Sequence, residues 1–260
     1  MMFEEGNYYC RQNDTHRGWL NDKKQPSAEE IAQARTRIEE KEREREEHER
    51  IWVEGFRAGY EWRKWHEQMM TEHLQWWNRQ GIRSHQIDEY ELGWMPDKKI
   101  QTKEGEMIIP AYTIPIRTLE DWEVVGVHYR IADPPAGVQK YRYQAGIQAR
   151  EFYAGVAQKE NAIIVEGAKK AMVLYDFLEA AIQVIGLPGN TPSKTILSRI
   201  ANNFQGQTFI ALDPGCQQQS EKIKASLLNA RIVSLPGKPD DLVLAGMTRN
   251  QFRAYVSQSR

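Results

Sequence analysis

Asn161 to Leu174 reads NAIIVEGAKKAMVL, and its reading decides the fold. The apolar run Ala162 to Val165 is followed at once by Glu166 and Gly167, and then Ala168, Ala171, Met172, Leu174, Tyr175 and Leu178 recur at helical spacing. A short apolar run bounded by glycine predicts a strand buried on both faces, and the change of period predicts a helix after it. Glu166 then sits at the carboxyl end of a parallel strand, the edge where open α/β sheets bind ligands. Gly167 permits a tight turn and a close approach by a ligand. An acid at such a turn is either a solvated cap or a paired or metal-binding group, because leaving it buried and alone is costly.

Working towards the C-terminus, the pattern repeats. Strands are expected at Ile182 to Leu187, Thr208 to Leu212 and Arg231 to Leu235, with helices between them and a last helix from Thr248. Thr191-Pro192 reads as an N-cap with proline at the first helical position. Alternating strands and helices call for a parallel sheet with crossover connections. Parallel topology gathers the strand ends, and with them Glu166, Asp213, Asp240 and Asp241, on one edge. Acids converging from separate strands form a hard-oxygen set suited to Mg²⁺ or Mn²⁺. Taken alone, Asp240-Asp241 is also an ordinary helix start. Cys216 reads as a small packing residue, with no histidine partner in its motif.

Working towards the N-terminus, Met107 to Ile116, Val124 to Ile131 and Lys140 to Tyr143 read as strands. Pro110 and Pro115 point to edge or irregular strands there. Gly81 ends one helix, and Ser84 is placed to cap a short second one. Trp52, Phe56, Tyr60, Trp62, Trp65, Met69, Trp76 and Trp77 recur at mostly helical spacings, which favours packing into a core over base stacking by the interleaved basic residues. Ser27 to about Glu54 is a charge-dense helix, with Ser27 and Glu30 as a capping box. It lacks an apolar stripe between Ile38 and Ile51, as a solvated connector would. In residues 1 to 26 the ligand types Cys10 and His16 fall short of the four that a structural zinc needs, so zinc is not expected.

The 260-residue chain has a formal net charge of −1 and 27% charged residues, so nucleic-acid binding would come from a local patch rather than a basic coat. Two cysteines make no disulfide framework and suggest a reducing compartment. No apolar run reaches membrane-spanning length, and no signal-peptide segment is seen at the N-terminus; a soluble, cytoplasmic protein without a membrane partner is expected. No P-loop GxxxxGK[ST] is present, so any unwinding activity belongs to a separate partner.

The order of these segments resembles the DnaG-type DNA primases of bacteria and phages. WWNRQGIRSHQIDEYELGWMPD (76–97) is similar to the segment that opens their RNA-polymerase core. IPIRTLEDWEVVGVHYRIADPPAGVQKYRY (114–143) is similar to the stretch carrying their basic residues, and IVEGAKKA (164–171) to the first motif of the TOPRIM domain. The resemblance implies a TOPRIM-like parallel sheet preceded by a mixed helix/strand subdomain and a long charged helix. The implied division is a zinc-ribbon remnant at 1–26, a helical linker at 27–69, a basic core subdomain at 70–157 and TOPRIM at 158–260. It implies a primase of phage or mobile-element type. Such a protein makes short RNA primers on a single-stranded DNA template from NTPs, with Mg²⁺ or Mn²⁺ and a separate replicative helicase.

On that resemblance Glu166, Asp213, Asp240 and Asp241 hold metal, with Glu166 and Asp213 catalytic. Arg130, Lys140 and Tyr141 face nucleic acid or nucleotide. The chain departs from the family at three acidic positions, which here are Lys170, Gly215 and Lys238. Lys169, Lys170 and Lys238 therefore read as direct phosphate ligands. A catalytically weakened nucleic-acid-binding module that works with a separate helicase or polymerase is the alternative. A topoisomerase would need a tyrosine-bearing domain and a longer chain, and a small nuclease fits the middle block less well.

Overall fold

The computed structural model describes residues 27–59, 61–102, 105–145, 147–155 and 159–259, and the backbone of 2–4, 7–9 and 17–19. Cys10 and His16, and the Glu30 side chain of the expected capping box, lie outside the described residues. The chain divides into Met1–His48 and Glu49–Arg260. In the first unit β1 (Met2–Glu4), β2 (Asn7–Tyr9) and β3 (Arg17–Trp19) form an antiparallel sheet in that order. The unit boundary falls within α1 (Ala28–Gly59). From Ile31 to His48 the side chains of α1 are exposed, as the missing apolar stripe requires.

In the second unit α1 ends among aromatic residues, and α2 (Glu61–Glu67), α3 (Thr71–Arg79) and α4 (Ser84–Glu89) follow. Trp62 and Trp77 are buried, Trp52 stacks on Phe56 at 5.2 Å and Trp76 on Tyr112 at 3.8 Å. The aromatic spacing thus serves packing. Ser84 begins α4 rather than capping it; Arg83 holds the cap position.

An antiparallel sheet of order β4-β5-β6-β7 comes next: β4 (Gly93–Thr102), β5 (Gly105–Arg117), β6 (Val124–Ile131) and β7 (Tyr141–Tyr143). β4 was not expected from the sequence. β5 is an interior strand rather than the edge that the prolines allowed, and it is irregular, as they also allowed. Pro110 lies opposite the register shift between Met95 and Lys98. Pro115 lies beyond Gly93, where β4 starts opposite Thr113. Pro115 thus sits where the ladder to β4 is absent, while Pro110 turns its carbonyl to Ala132 N–H just past the end of β6, so neither missing N–H leaves a regular strand partner unsatisfied.

The second sheet has the order β12-β11-β9-β10-β8. Its elements are β8 (Phe152–Ala154), β9 (Ala162–Glu166), α5 (Ala168–Phe177), β10 (Gln183–Leu187), α6 (Lys194–Asn203), β11 (Thr208–Ile210), α7 (Gln217–Lys224), β12 (Ala230–Ile232), α8 (Pro239–Leu244) and α9 (Arg249–Ser257). β9 to β12 are parallel as expected; β8 adds an antiparallel edge. β11 and β12 are shorter than expected, yet Ala211 N–H still donates to Ile164 O at 2.8 Å and carries the chain on to Asp213. α6 starts later than Thr191-Pro192 implied: Ser193 is its cap, accepting from Ile196 N–H.

β9 is buried on both faces. Ile163 and Val165 join one core with Ala171, Met172 and Leu174 of α5, while Ala162 and Ile164 join another with Ile196 and Ile200 of α6 and Ile223 of α7. Strand alternation across two apolar layers is what a continuous apolar run encodes. No helix of the described residues is long and apolar enough to cross a membrane.

The turn after β9 is closely packed. Gly167 has φ 86° and ψ 150°, a conformation essentially restricted to glycine, and its N–H donates to Leu187 O at 2.8 Å. Gly186 lies against it: a Cβ there would meet Gly167 O at 2.6 Å and Ala168 Cα at 3.0 Å. Gly186→Ala is expected to destabilise the chain by about 1–3 kcal/mol, because backbone rather than a flexible side chain must yield. Urea denaturation of wild type and variant measures this.

Candidate functional site

The sheet order puts the acids side by side. Glu166 ends β9, Asp213 follows the neighbouring β11, and Asp240 and Asp241 stand in the first turn of α8 after β12. Pro239 fills the first position of α8, where a missing N–H costs nothing, and acids in that turn complement the helix dipole.

These residues line one cavity of about 480 Å³ with Lys140, Tyr141, Lys169, Lys170 and Lys238. The expected site residues therefore converge, with one exception. Arg130 does not line the cavity. It is buried on β6 opposite Tyr141, with its guanidinium carbon 4.3 Å from the centre of the Trp76 ring. Its charge still acts here: the Lys140 ammonium is held below its usual pKa by partial burial, then by Arg130, Lys169 and Lys238, with Asp240 opposing. Positive charges crowded in this way favour an incoming anion.

Most of the positive charge in the cavity comes from lysines placed where the sheet edge turns into helices. Lys169 and Lys170 open α5, and Lys238 holds the cap position of α8. Lys170 Nζ lies 3.0 Å from Asp213 Oδ2, and Lys169 Nζ lies 2.6 Å from Asp240 Oδ2. The Oδ1 atoms of Asp213 and Asp240 are buried without a hydrogen-bond partner. In kind these donors suit a hard divalent cation. In arrangement they do not make a metal centre, because among the described residues no three His, Cys, Asp or Glu side chains come together to hold an ion. Cys216 is half-buried against the apolar core beside α6 and α7, with Asn190 Nδ2 3.6 Å from its sulfur.

Two ionisable residues of the cavity were missed in the sequence. Tyr143 donates its hydroxyl hydrogen bond to Pro188 O, and its hydroxyl pKa is pushed up to about 12 by burial, then by Glu166 and Tyr141. His128 is buried, packs edge-on to Tyr143 at 4.5 Å, and has no hydrogen-bond partner at Nε2. The signal available for His128 was an ionisable residue inside the apolar run Val124 to Ile131.

Burial pushes the His128 pKa down from 6.5 to about 3, so it is neutral in the fold near pH 7. Between those values the unfolded chain binds a proton that the folded chain does not, and stability must fall as pH falls. This contribution is complete above about pH 6.5 and is lost on acidification towards pH 3 at roughly 1.4 kcal/mol per pH unit. His128→Gln is expected to remove about one proton from the pH slope of unfolding between pH 6 and 4. Denaturant melts of both proteins across that range check it.

No protein-family model and no curated protein sequence matches the chain. Solved structures do. The primase of Aquifex aeolicus, comprising zinc-binding and RNA-polymerase domains, aligns with TM-score 0.59 and 16% identity over 74% of this chain and 56% of that one. A DnaG catalytic core aligns with TM-score 0.59 and 14% identity over 80% of this chain and 78% of that one. The RNA-polymerase domain of Mycobacterium tuberculosis DnaG, solved with double-stranded DNA, gives TM-score 0.59 and 16% identity over 78% and 79%. The chain thus spans little more than half of the Aquifex chain and most of the other two. It has the fold of DnaG-type primase catalytic cores.

Proposed function

We propose that the protein is a primase-type protein of DNA replication, making short RNA primers on single-stranded DNA from NTPs. The observation that carries this reading is the cavity at the strand edge. There Lys140, Lys169, Lys170, Lys238 and Tyr141 face Glu166, Asp213, Asp240 and Asp241 within a primase-core fold. The lysine ammonium groups suit the phosphates of template, primer and triphosphate, as point charges with several donors each. Tyr141 offers a ring and a hydroxyl beside them, and Arg130 supports their field from behind. Glu166 is the group suited to move the proton of an attacking 3′-hydroxyl. Nucleotidyl transfer of this class calls for Mg²⁺ or Mn²⁺ to offset charge on the triphosphate, and Glu166, Asp213, Asp240 and Asp241 are the hard-oxygen donors the chain offers.

The resemblance adds further proposals: a zinc-ribbon remnant at 1–26, a helical linker at 27–69, core and TOPRIM parts meeting at 157/158, a cytoplasmic setting, phage or mobile-element origin, and a separate helicase as partner.

The Lys169–Asp240 and Lys170–Asp213 pairs favour a second reading, in which the chain binds DNA for a separate helicase or polymerase and does not itself polymerise. Incorporation of labelled ribonucleotides on single-stranded DNA separates the two. Asp213→Asn, which keeps an oxygen acceptor for Lys170, is expected to abolish synthesis with its thermal melt retained; synthesis that persists in this variant refutes the catalytic assignment. DNA binding that survives EDTA, with no synthesis by wild type, supports the second reading. Lys238→Ala is expected to weaken single-stranded DNA binding and to lower the slope of log affinity against log salt by about 0.7, the loss of one phosphate contact. Fluorescence anisotropy at several salt concentrations measures it.

A further inference from the structure

Two of the three aspartates that line the cavity already have a lysine beside them. Asp240 is 2% exposed and the Asp213 side chain 15%, and each gives Oδ2 to a lysine while its Oδ1 stays buried without a partner. A carboxylate so enclosed requires a positive charge beside it. Lys169 and Lys170, adjacent in the first turn of α5, supply that charge from within the chain. A divalent cation seeking Asp213 and Asp240 must compete with two ammonium groups for the same oxygens, and among the described residues no third carboxylate is gathered with them to hold an ion.

A phosphate entering the cavity competes from the other direction. Lys140 and Lys238 line it as well, so an anion meets a positive wall. Lysine stems are flexible, and an ammonium group shared between a carboxylate and a phosphate loosens its hold on the carboxylate. His128 Nε2, also unpartnered, is a further polar atom without a fixed obligation in the same wall.

We propose that Lys169 and Lys170 are built-in counter-cations that keep divalent ions off Asp240 and Asp213 in the free chain, and that bound phosphate opens these carboxylates by drawing the ammonium groups to itself. The second half rests on the reading of the cavity as a phosphate site; the first half does not. Phosphate and divalent cation then bind with positive coupling, and the coupling is reciprocal.

The test is Mn²⁺ binding to the full chain, followed by the electron paramagnetic resonance signal of free Mn²⁺. Sulfate at constant ionic strength serves as a weakly chelating stand-in for phosphate. Wild type is compared with Lys169→Gln, Lys170→Gln and the double variant, each checked by thermal melt; if the double variant does not fold, the single variants carry the comparison. Replacing the lysines is expected to tighten Mn²⁺ binding at least about tenfold, in line with the effect of ligand charge on hard-cation sites. Sulfate is expected to tighten binding to wild type and to leave the double variant unchanged. The counter-cation role is overturned if wild type without sulfate binds Mn²⁺ as tightly as the variants, or if no variant binds it. If the variants tighten binding but sulfate has no effect on wild type, the release by phosphate is overturned while the counter-cation role stands. Single-stranded DNA binding, measured separately in EDTA, reports on the phosphate reading itself.

Discussion

The site depends on one close approach of backbone to backbone. Gly186 of β10 lies against the turn at Gly167, and the Gly167 N–H reaches Leu187 O across the sheet. That hydrogen bond fixes where β9 ends and α5 begins. Glu166 is therefore presented at the strand edge, and the following turn of helix delivers Lys169 and Lys170 to the same cavity. A side chain at either glycine would push the strand and helix apart or force the turn out of its conformation. Acid and cations would then lose their common address. The chain obtains a charged cluster on a rigid base because apolar β9 is held between two cores and cannot shift.

Much of this architecture was legible because β9 announces itself. Four apolar residues ending in Glu-Gly admit few readings, and the repeats of strand and helix after it admit fewer. The boundaries were less legible for a physical reason. β11 and β12 stop early as regular strands, while their hydrogen bonds continue through Ala211 N–H to Ile164 O and Val233 N–H to Ile210 O. Apolar character outlasts regular pairing there, and sequence registers only the former. β4 was hidden for the opposite reason. GWMPDKKIQT carries charge and a proline, so it lacks a strand's pattern; pairing with β5 along most of its length, with a shift where Pro96 and Asp97 fall, makes it a strand.

The site divides in the same way. Residues at strand ends were predictable, since topology alone places Glu166, Asp213 and Asp240 side by side. Residues reaching the cavity from the other sheet were not, since nothing in the chain says which face of β6 or β7 meets it. Lys140 and Tyr141 were identified through resemblance to a family, and His128 and Tyr143 were missed. Arg130 shows the cost of carrying a role by position. The residue type suits phosphate, but its guanidinium lies over Trp76, and its influence on the cavity is through charge.

The three departures from the family pattern can be weighed by what happens to the acids that remain. Asp240 is 2% exposed, and an acid so enclosed is costly unless a cation lies beside it. It has a lysine ammonium at 2.6 Å, and Asp213 has one at 3.0 Å. Lys170 thus supplies a positive charge at the strand edge, and the neighbouring Asp213 is satisfied by it. Pairing of this kind satisfies the enclosed acids at the strand edge, and each lysine still carries donors that a single carboxylate cannot fill. What it alters is the order in which charges are met: in the free chain the acids find lysine first, and any other cation must follow an anion into the cavity.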